Sequence, residues 1–156
     1  MGALAQSSDL SHQISLIKDF LPKCYGFAIL FNPDNGDLQT IIQQASQENG
    51  LVAYLTPISS TRDISPSIRS LNKYAIDFIF LMEDRIVTGK STTRYAVKMN
   101  SKKNIPVFSS AENAFEHDAF GRFVRRNGLW HLVLNRAQFG EFSFKPPEAN
   151  PRISIE

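Results

Sequence analysis

Several polar side chains follow the ends of apolar segments, where the ligand-binding loops of many proteins lie. Asn32 and Asn35 follow the apolar run 25–31, and Asp84 follows the run that ends at Met82. Helix starts that carry Ser, Thr or Asn suit a ligand carboxylate, whereas the Asp84 carboxylate suits an ammonium group. The predicted ligand-binding residues are Asn32, Asn35, Ser59, Ser60, Asp84, Ser109 and Ser110. The alternative, which the sequence leaves open, is that these residues only cap helices and close turns.

The sequence lacks the residue spacings that catalysis or metal binding requires. His12, His117 and His131 are far apart, and Cys24 is the only cysteine, so there is no zinc-binding motif and no disulfide within the chain. Neither a phosphate-binding glycine loop nor a nucleophile elbow is present. We therefore predict no catalytic residues, no metal, no cofactor and no enzymatic activity.

Asp84 also raises the possibility of a response-regulator receiver domain, which has an aspartate after its third strand. A receiver needs paired acidic residues after its first strand to hold magnesium. The sequence Phe31-Asn32-Pro33 does not supply them, so this alternative is disfavoured.

Apolar runs alternate with segments of helical periodicity along the first two thirds of the chain. The predicted strands are 25–31, 51–57, 77–82 and 105–108, and the predicted helices are 10–21, 38–49, a short one ending at Leu71, and 88–102. Asp37 is placed to cap the second helix, and Gly50 to end it. This alternation predicts an α/β fold with a mostly parallel, doubly wound sheet, whose ligand crevice lies at the carboxyl ends of the strands.

The last third of the chain has a different pattern. Asn127-Gly128 lies between two strand-like runs, 119–124 and 129–134, which predicts a C-terminal antiparallel β-hairpin. Prolines at 146, 147 and 151 predict a surface tail after residue 140. We predict one domain over residues 1–156, with residues 1–9 and 141–156 as tails.

The overall charge and hydrophobicity exclude some partners. Seventeen basic and fifteen acidic residues give a net charge of +2, too weak a bias to indicate a nucleic-acid partner. No apolar run is long enough to cross a bilayer. Ala3-Leu4-Ala5 is similar to the end of a secretory signal, so we expect an exported protein, although ordinary terminal residues are an equal alternative.

Three segments together resemble one known family. They are 16–22 (Leu-Ile-Lys-Asp-Phe-Leu-Pro), 29–33 (Ile-Leu-Phe-Asn-Pro) and 57–64 (Pro-Ile-Ser-Ser-Thr-Arg-Asp-Ile). With 76–84 and 104–110, they resemble the second lobe of ABC-transporter substrate-binding proteins of the tryptophan and tyrosine uptake type. The resemblance implies half of a periplasmic-binding-protein-like fold, a small solute such as an amino acid, a membrane permease as partner and a periplasmic or otherwise extracytoplasmic location. It also implies ligand contacts from Asn35, Ser60, Asp84 and Ser110.

The end of the chain is similar to a second family. Segments 121–124 and 132–135 resemble small periplasmic regulators of membrane-bound diguanylate cyclases. This resemblance implies a protein partner, such as a membrane-bound signalling protein, or a homodimer. Phe120, Phe123, Trp130 and Leu132 would then form an apolar interface, although burial in the core is the favoured alternative for them.

Overall fold

The computed structural model describes residues 3–147 and 150–156, and its strands form one seven-stranded sheet. The strands are β1 (Gly26–Phe31), β2 (Val52–Pro57), β3 (Phe78–Leu81), β4 (Val107–Ser109), β5 (Gly121–Arg126), β6 (Leu129–Leu134) and β7 (Ile153–Ile155). The helices are α1 (Ala3–Phe20), α2 (Leu38–Glu48), α3 (Ile64–Ser70), α4 (Lys90–Asn100) and the short α5 (Arg136–Phe139). Within the described residues, no helix is long and apolar enough to cross a membrane.

The strand order is β2-β1-β3-β4-β5-β6-β7. The strands from β1 to β5 pair in parallel, and β6 pairs with β5 in the antiparallel direction. These pairings confirm the predicted α/β class with a mostly parallel sheet and an antiparallel hairpin. Because β1 and β2 exchange places in the order, the direction of winding reverses between β1 and β3, and ligand crevices of open α/β sheets lie at such a point.

The core has two layers, one on each face of the sheet. Every residue of β1 and β3 is buried, as expected of central strands covered on both faces. Phe27 and Phe78 stack at 4.8 Å in the layer under α1 and α2, whereas Leu30 and Ile79 pack under α3 and α4. Each fully buried side chain of this size stabilises the fold by roughly 1.5–3 kcal/mol.

Local sequence signals account for the turns that join these elements. The Asp37 carboxylate accepts hydrogen bonds from the N–H and the hydroxyl of Thr40, as predicted for the cap of α2. At the hairpin, Asn127 and Gly128 have φ of 55° and 77°, the left-handed conformation that a two-residue hairpin turn needs. Of the four apolar residues predicted as either core or interface, Phe120, Phe123 and Leu132 are buried in the core, whereas Trp130 is only partly buried.

Both chain ends differ from the predicted tails. Residues 3–9 continue α1, which begins at Ala3 and not at Leu10, because no proline or glycine interrupts the helix there. At the other end, Ile153–Ile155 pair with β6 and extend the sheet. A three-residue strand after a proline-rich stretch is too short for periodicity to indicate. Residues 1–2 and 148–149 of the predicted tails lie outside the described residues, and the single-domain assignment stays a prediction.

Candidate functional site

Asp84 joins the loops that follow β1 and β3, at the point where the winding reverses. Its Oδ1 accepts hydrogen bonds from the side-chain amides of Asn32, at 3.1 Å, and Asn35, at 2.9 Å. Asn32 Oδ1 in turn accepts from the N–H of Asp34 at 3.0 Å, which fixes the orientation of the amide. One carboxylate oxygen therefore holds together two loops that are about 50 residues apart in sequence.

The other oxygen of Asp84 organises the loop to which the residue belongs. Oδ2 accepts from the N–H groups of Ile86, at 2.9 Å, and Val87, at 3.1 Å. Partial burial raises the pKa of the Asp84 carboxyl, but the accepted hydrogen bonds, led by the one from Asn35, outweigh burial and leave the pKa below its ordinary value. Asp84 is therefore a carboxylate at neutral pH and fixes both loops.

Ser110 brings the loop after β4 to the same place. Its hydroxyl accepts a hydrogen bond from the N–H of Glu83 at 2.7 Å and lies 3.3 Å from the carbonyl of Leu81, to which it donates. The loops after β1, β3 and β4 thus meet along one edge of the sheet. Four of the seven predicted site residues, namely Asn32, Asn35, Asp84 and Ser110, lie in this group.

The other three predicted residues have local partners. The N–H groups of Ser59 and Ser60 donate to Asp63 Oδ2 at 3.0 and 3.1 Å, and these bonds lower the pKa of that carboxyl. Ser109 is buried, and its hydroxyl accepts from the N–H of Ala111 at 3.2 Å. For these serines the structure shows the capping and turn-closing contacts of the alternative interpretation, and none of the three lines the cleft described next.

A cleft opens between these loops, α1 and the hairpin. Its inner part has a volume of about 330 Å³ and continues into a wider groove of about 990 Å³. Glu83, Ser110 and Trp130 line both parts. The other residues of the inner part are Asp9, Leu10, Gln13, Asn32, Asn35, Leu38, Phe80 and Met82. Each of the two volumes taken by itself is within the range of small-molecule sites, roughly 300–1,000 Å³.

The far wall of the cleft is a cluster that the sequence did not indicate. Arg125 Nη2 lies 2.7 Å from Asp9 Oδ1, and the indole N–H of Trp130 donates to the same oxygen at 3.2 Å. The Arg125 guanidinium also lies 4.4 Å from the centre of the Trp130 ring. Because Asp9 is more than 115 residues from its two partners, only the docking of α1 on the hairpin brings them together. The lone tryptophan was the one signal that could have drawn attention to this wall.

The wider groove is lined by charged residues of both signs, namely Glu83, Glu112, Arg122 and Arg125. Within the described residues, neither the Glu83 carboxylate nor the Arg122 guanidinium takes part in a salt bridge, although both line the wider groove. Arg122 lies 5.0 Å from the centre of the Phe115 ring, which steadies its guanidinium. The described residues contain no group of three His, Cys, Asp or Glu side chains that could hold a metal ion.

The chain is similar to one family of known proteins. A family model described as ABC transporter substrate binding protein matches residues 3–123. No curated protein matches the chain.

Solved structures share the fold at low sequence identity. A conserved domain protein from Vibrio cholerae is similar with a TM-score of 0.77 and 17% identity over 94% of this chain and 60% of that one. An ABC domain from Streptococcus pneumonia, solved in complex with L-Trp, is similar with a TM-score of 0.75 and 15% identity. The match covers 94% of this chain and 62% of that one. A ligand-free, open substrate binding protein with adhesive properties from Clostridium difficile is similar with a TM-score of 0.73 and 16% identity. The match covers 92% of this chain and 58% of that one. The chain thus spans about three fifths of the length of these structures.

Proposed function

Because this chain belongs to the ABC transporter substrate-binding protein family, we propose that it is a non-catalytic module that binds a small zwitterionic solute such as an amino acid. The solute lies in the cleft at the carboxyl ends of β1, β3 and β4. The observation that carries the proposal is the groove beside the loops that Asp84 holds in place: Glu83 and Arg122 line it, and neither forms a salt bridge within the described residues. Glu112, which also lines the groove and forms no salt bridge there, adds a second carboxylate. The complex of the Streptococcus pneumonia domain with L-Trp supports a solute of this class.

Each part of such a solute has a complementary partner in the cleft. Its ammonium group would pair with the Glu83 carboxylate, and its carboxylate with the Arg122 guanidinium. The half-buried face of Trp130 would contact an apolar or aromatic side chain. Since tight sites bury most of a ligand's surface, binding by this open cleft should be weak, in about the millimolar to high-micromolar range.

The family also supports a proposal about where the solute is delivered and where the protein works. We propose that the bound solute passes to a membrane permease and that the protein works outside the cytoplasm, as substrate-binding proteins of ABC transporters do. The proposal assigns no catalytic step to the chain.

The test is a titration with a panel of L-amino acids, followed by the fluorescence of Trp130, the only tryptophan. We expect at least one amino acid to change the emission and to raise the melting temperature, since a ligand at about 100 times its Kd stabilises by roughly 2.7 kcal/mol. Glu83→Gln should weaken binding at least about tenfold, because a charge-assisted hydrogen bond contributes roughly 1.5–3 kcal/mol and each 1.4 kcal/mol is tenfold in affinity.

The matched control is Glu48→Gln on the exposed face of α2, outside the cleft, which should leave the affinity unchanged. If no amino acid binds, or if Glu83→Gln and Glu48→Gln behave alike, the proposed site is wrong.

A second candidate function, regulation through a protein partner or a homodimer, is favoured by one surface. Tyr25, Val52 and Tyr74 are 82%, 56% and 40% exposed, and Tyr74 stacks on Tyr54 at 4.6 Å. They surround the start of β2, an edge strand without a charged residue, and both features are typical of interfaces.

The measurement for this candidate is the mass in solution by light scattering. Association should be lost in Val52→Glu but kept in Leu129→Glu, a control at an equally exposed apolar residue (52%) on the hairpin. A monomer at all concentrations would count against the homodimer.

A further inference from the structure

A second groove lies at the opposite end of the sheet from the cleft. It has a volume of about 520 Å³ and lies where the end of α1, the start of β3, the turn after α4 and the segment 143–145 meet. Its apolar lining includes Phe20, Ile76, Ile105 and Phe144. Phe20 and Phe144 contact each other edge to face, with ring centres 5.5 Å apart, and so form one wall. Both the size and the lining are those of a small-molecule site.

The rim of this groove carries an excess of positive charge. Lys23, Lys103 and Lys145 line it, against a single carboxylate, Asp77. Asp77 Oδ2 already accepts hydrogen bonds from the N–H groups of Tyr25, at 2.7 Å, and Gly26, at 3.1 Å. The acidic group is therefore engaged by the backbone and not by the lysines.

The lysines themselves are largely available to a ligand. Lys103 donates to the side-chain oxygen of Asn72, an uncharged partner. Within residues 3–147 and 150–156, Lys23 and Lys145 form no salt bridge. Two ammonium groups thus stand at the edge of an apolar groove without a salt-bridge partner in the described chain, and Asp77, the carboxylate in the lining, is bonded to the backbone.

One wall of the groove is the polypeptide after the short helix α5. Ser143 donates its N–H to Asn104 Oδ1 at 3.0 Å, which ties this wall to the turn after α4. Residues 143–147 form neither helix nor strand, so the wall can adjust to an apolar chain more easily than a strand could.

We propose that this groove binds an amphipathic anion, such as a medium-chain carboxylate. The anionic group pairs with Lys23 and Lys145, and the hydrocarbon chain lies on Phe20, Ile105 and Phe144. The apolar lining alone would accept any hydrocarbon, and the lysines alone any anion. Their combination selects a molecule that has both features.

The test uses sodium decanoate as the probe, with calorimetric titration below its micelle concentration. Decanoate should bind the wild-type protein at least tenfold more tightly than decyltrimethylammonium, which has the same chain and the opposite charge, and more tightly than inorganic phosphate, which lacks the chain. Cys24, the only cysteine, also lines this groove, so decanoate should slow its alkylation by iodoacetamide.

Two variants test the assignment to the lysines. The double substitution Lys23→Glu/Lys145→Glu should weaken decanoate binding at least tenfold, whereas Lys98→Glu, at an exposed lysine of α4 outside the groove, should change it less than twofold. The proposal is overturned if decyltrimethylammonium or phosphate binds as tightly as decanoate, or if the two variants bind decanoate equally. Trp130 lines the cleft and not this groove, so its fluorescence should report amino-acid binding and not decanoate, and the two proposals can fail separately.

Discussion

Replacing Asp84 by alanine should loosen the site and destabilise the whole protein. The substitution removes the acceptor of four hydrogen bonds, two from the amides of Asn32 and Asn35 and two from the backbone N–H groups of Ile86 and Val87. It leaves the apolar core untouched. The loss of stability therefore measures what this carboxylate contributes.

The expected size of the effect follows from the two kinds of hydrogen bond. Loss of the two backbone bonds resembles the loss of a helix cap, which costs about 0.5–2 kcal/mol. Each side-chain amide bond contributes roughly 0.5–1 kcal/mol more. Because Asp84 is only half-buried, water replaces part of what is lost, and we expect a net destabilisation of about 2 kcal/mol. For a chain of this length, that lowers the melting temperature by roughly 4–8 °C.

The assay is urea unfolding at pH 7, followed by far-ultraviolet circular dichroism so that the signal reports the whole fold. The matched control is Asp34→Ala, an exposed aspartate of the loop after β1 that Asp84 contacts, whose loss should change stability by less than about 0.5 kcal/mol. An unchanged denaturant slope would show that the two variants unfold from comparable native states. Equal effects of Asp84→Ala and Asp34→Ala would refute the role assigned to Asp84.

Three further effects can be measured in the same way. The folded-state pKa of Asp84 lies below its unfolded value of about 3.9. The stability that Asp84 contributes is therefore complete above that pH and is lost as the pH falls through the folded-state pKa. In urea titrations, the loss of stability caused by Asp84→Ala should be constant from about pH 5 to 8 and should shrink below about pH 4. Gly121→Ala places a Cβ 2.6 Å from Cδ1 of Phe108 and should destabilise by roughly 1–3 kcal/mol, whereas Gly140→Ala, with no atom within 4 Å, should change stability by less than about 0.5 kcal/mol, as thermal unfolding would show. Gly128→Ala forces a side chain to φ of 77° and should cost about 1 kcal/mol in urea unfolding, and no loss there would contradict the strained turn.

The parallel half of the fold was predictable because its signals are local. The runs that became β1 and β3 are apolar throughout, and such runs indicate strands covered on both faces. Asp37 caps α2, and Asn127-Gly128 forms the turn before β6. Both effects depend only on adjacent residues, so the sequence alone indicates them. β7 was missed because three residues after Pro151 carry too little periodicity, and its position depends on β6 offering a free edge.

The candidate site was predictable where strand ends alone determine it. The strands β1 and β3 are parallel neighbours, so their carboxyl ends lie side by side at one edge of the sheet. The residues that follow these ends, Asn32, Asn35 and Asp84, therefore lie close together. Ser60 follows β2 at the same edge, but Asp63 lies three residues away and takes its N–H. The wall of Asp9, Arg125 and Trp130 depends on how α1 docks on the hairpin, which no local pattern specifies.

The insertion of β1 between β2 and β3 has a consequence for synthesis of the chain. When β1 and β2 have left the ribosome and paired, one edge of β1 stays unpaired until β3 is made, and β3 ends about 24 residues after the end of β2 (Leu81 against Pro57). At roughly 5–20 residues per second, this wholly apolar strand has an open edge for about 1–5 s. The β5–β6 hairpin, in contrast, closes within microseconds of its own appearance. We therefore expect the nascent first half of the protein, and not the finished hairpin, to require chaperones and to be the part that aggregates when they are scarce.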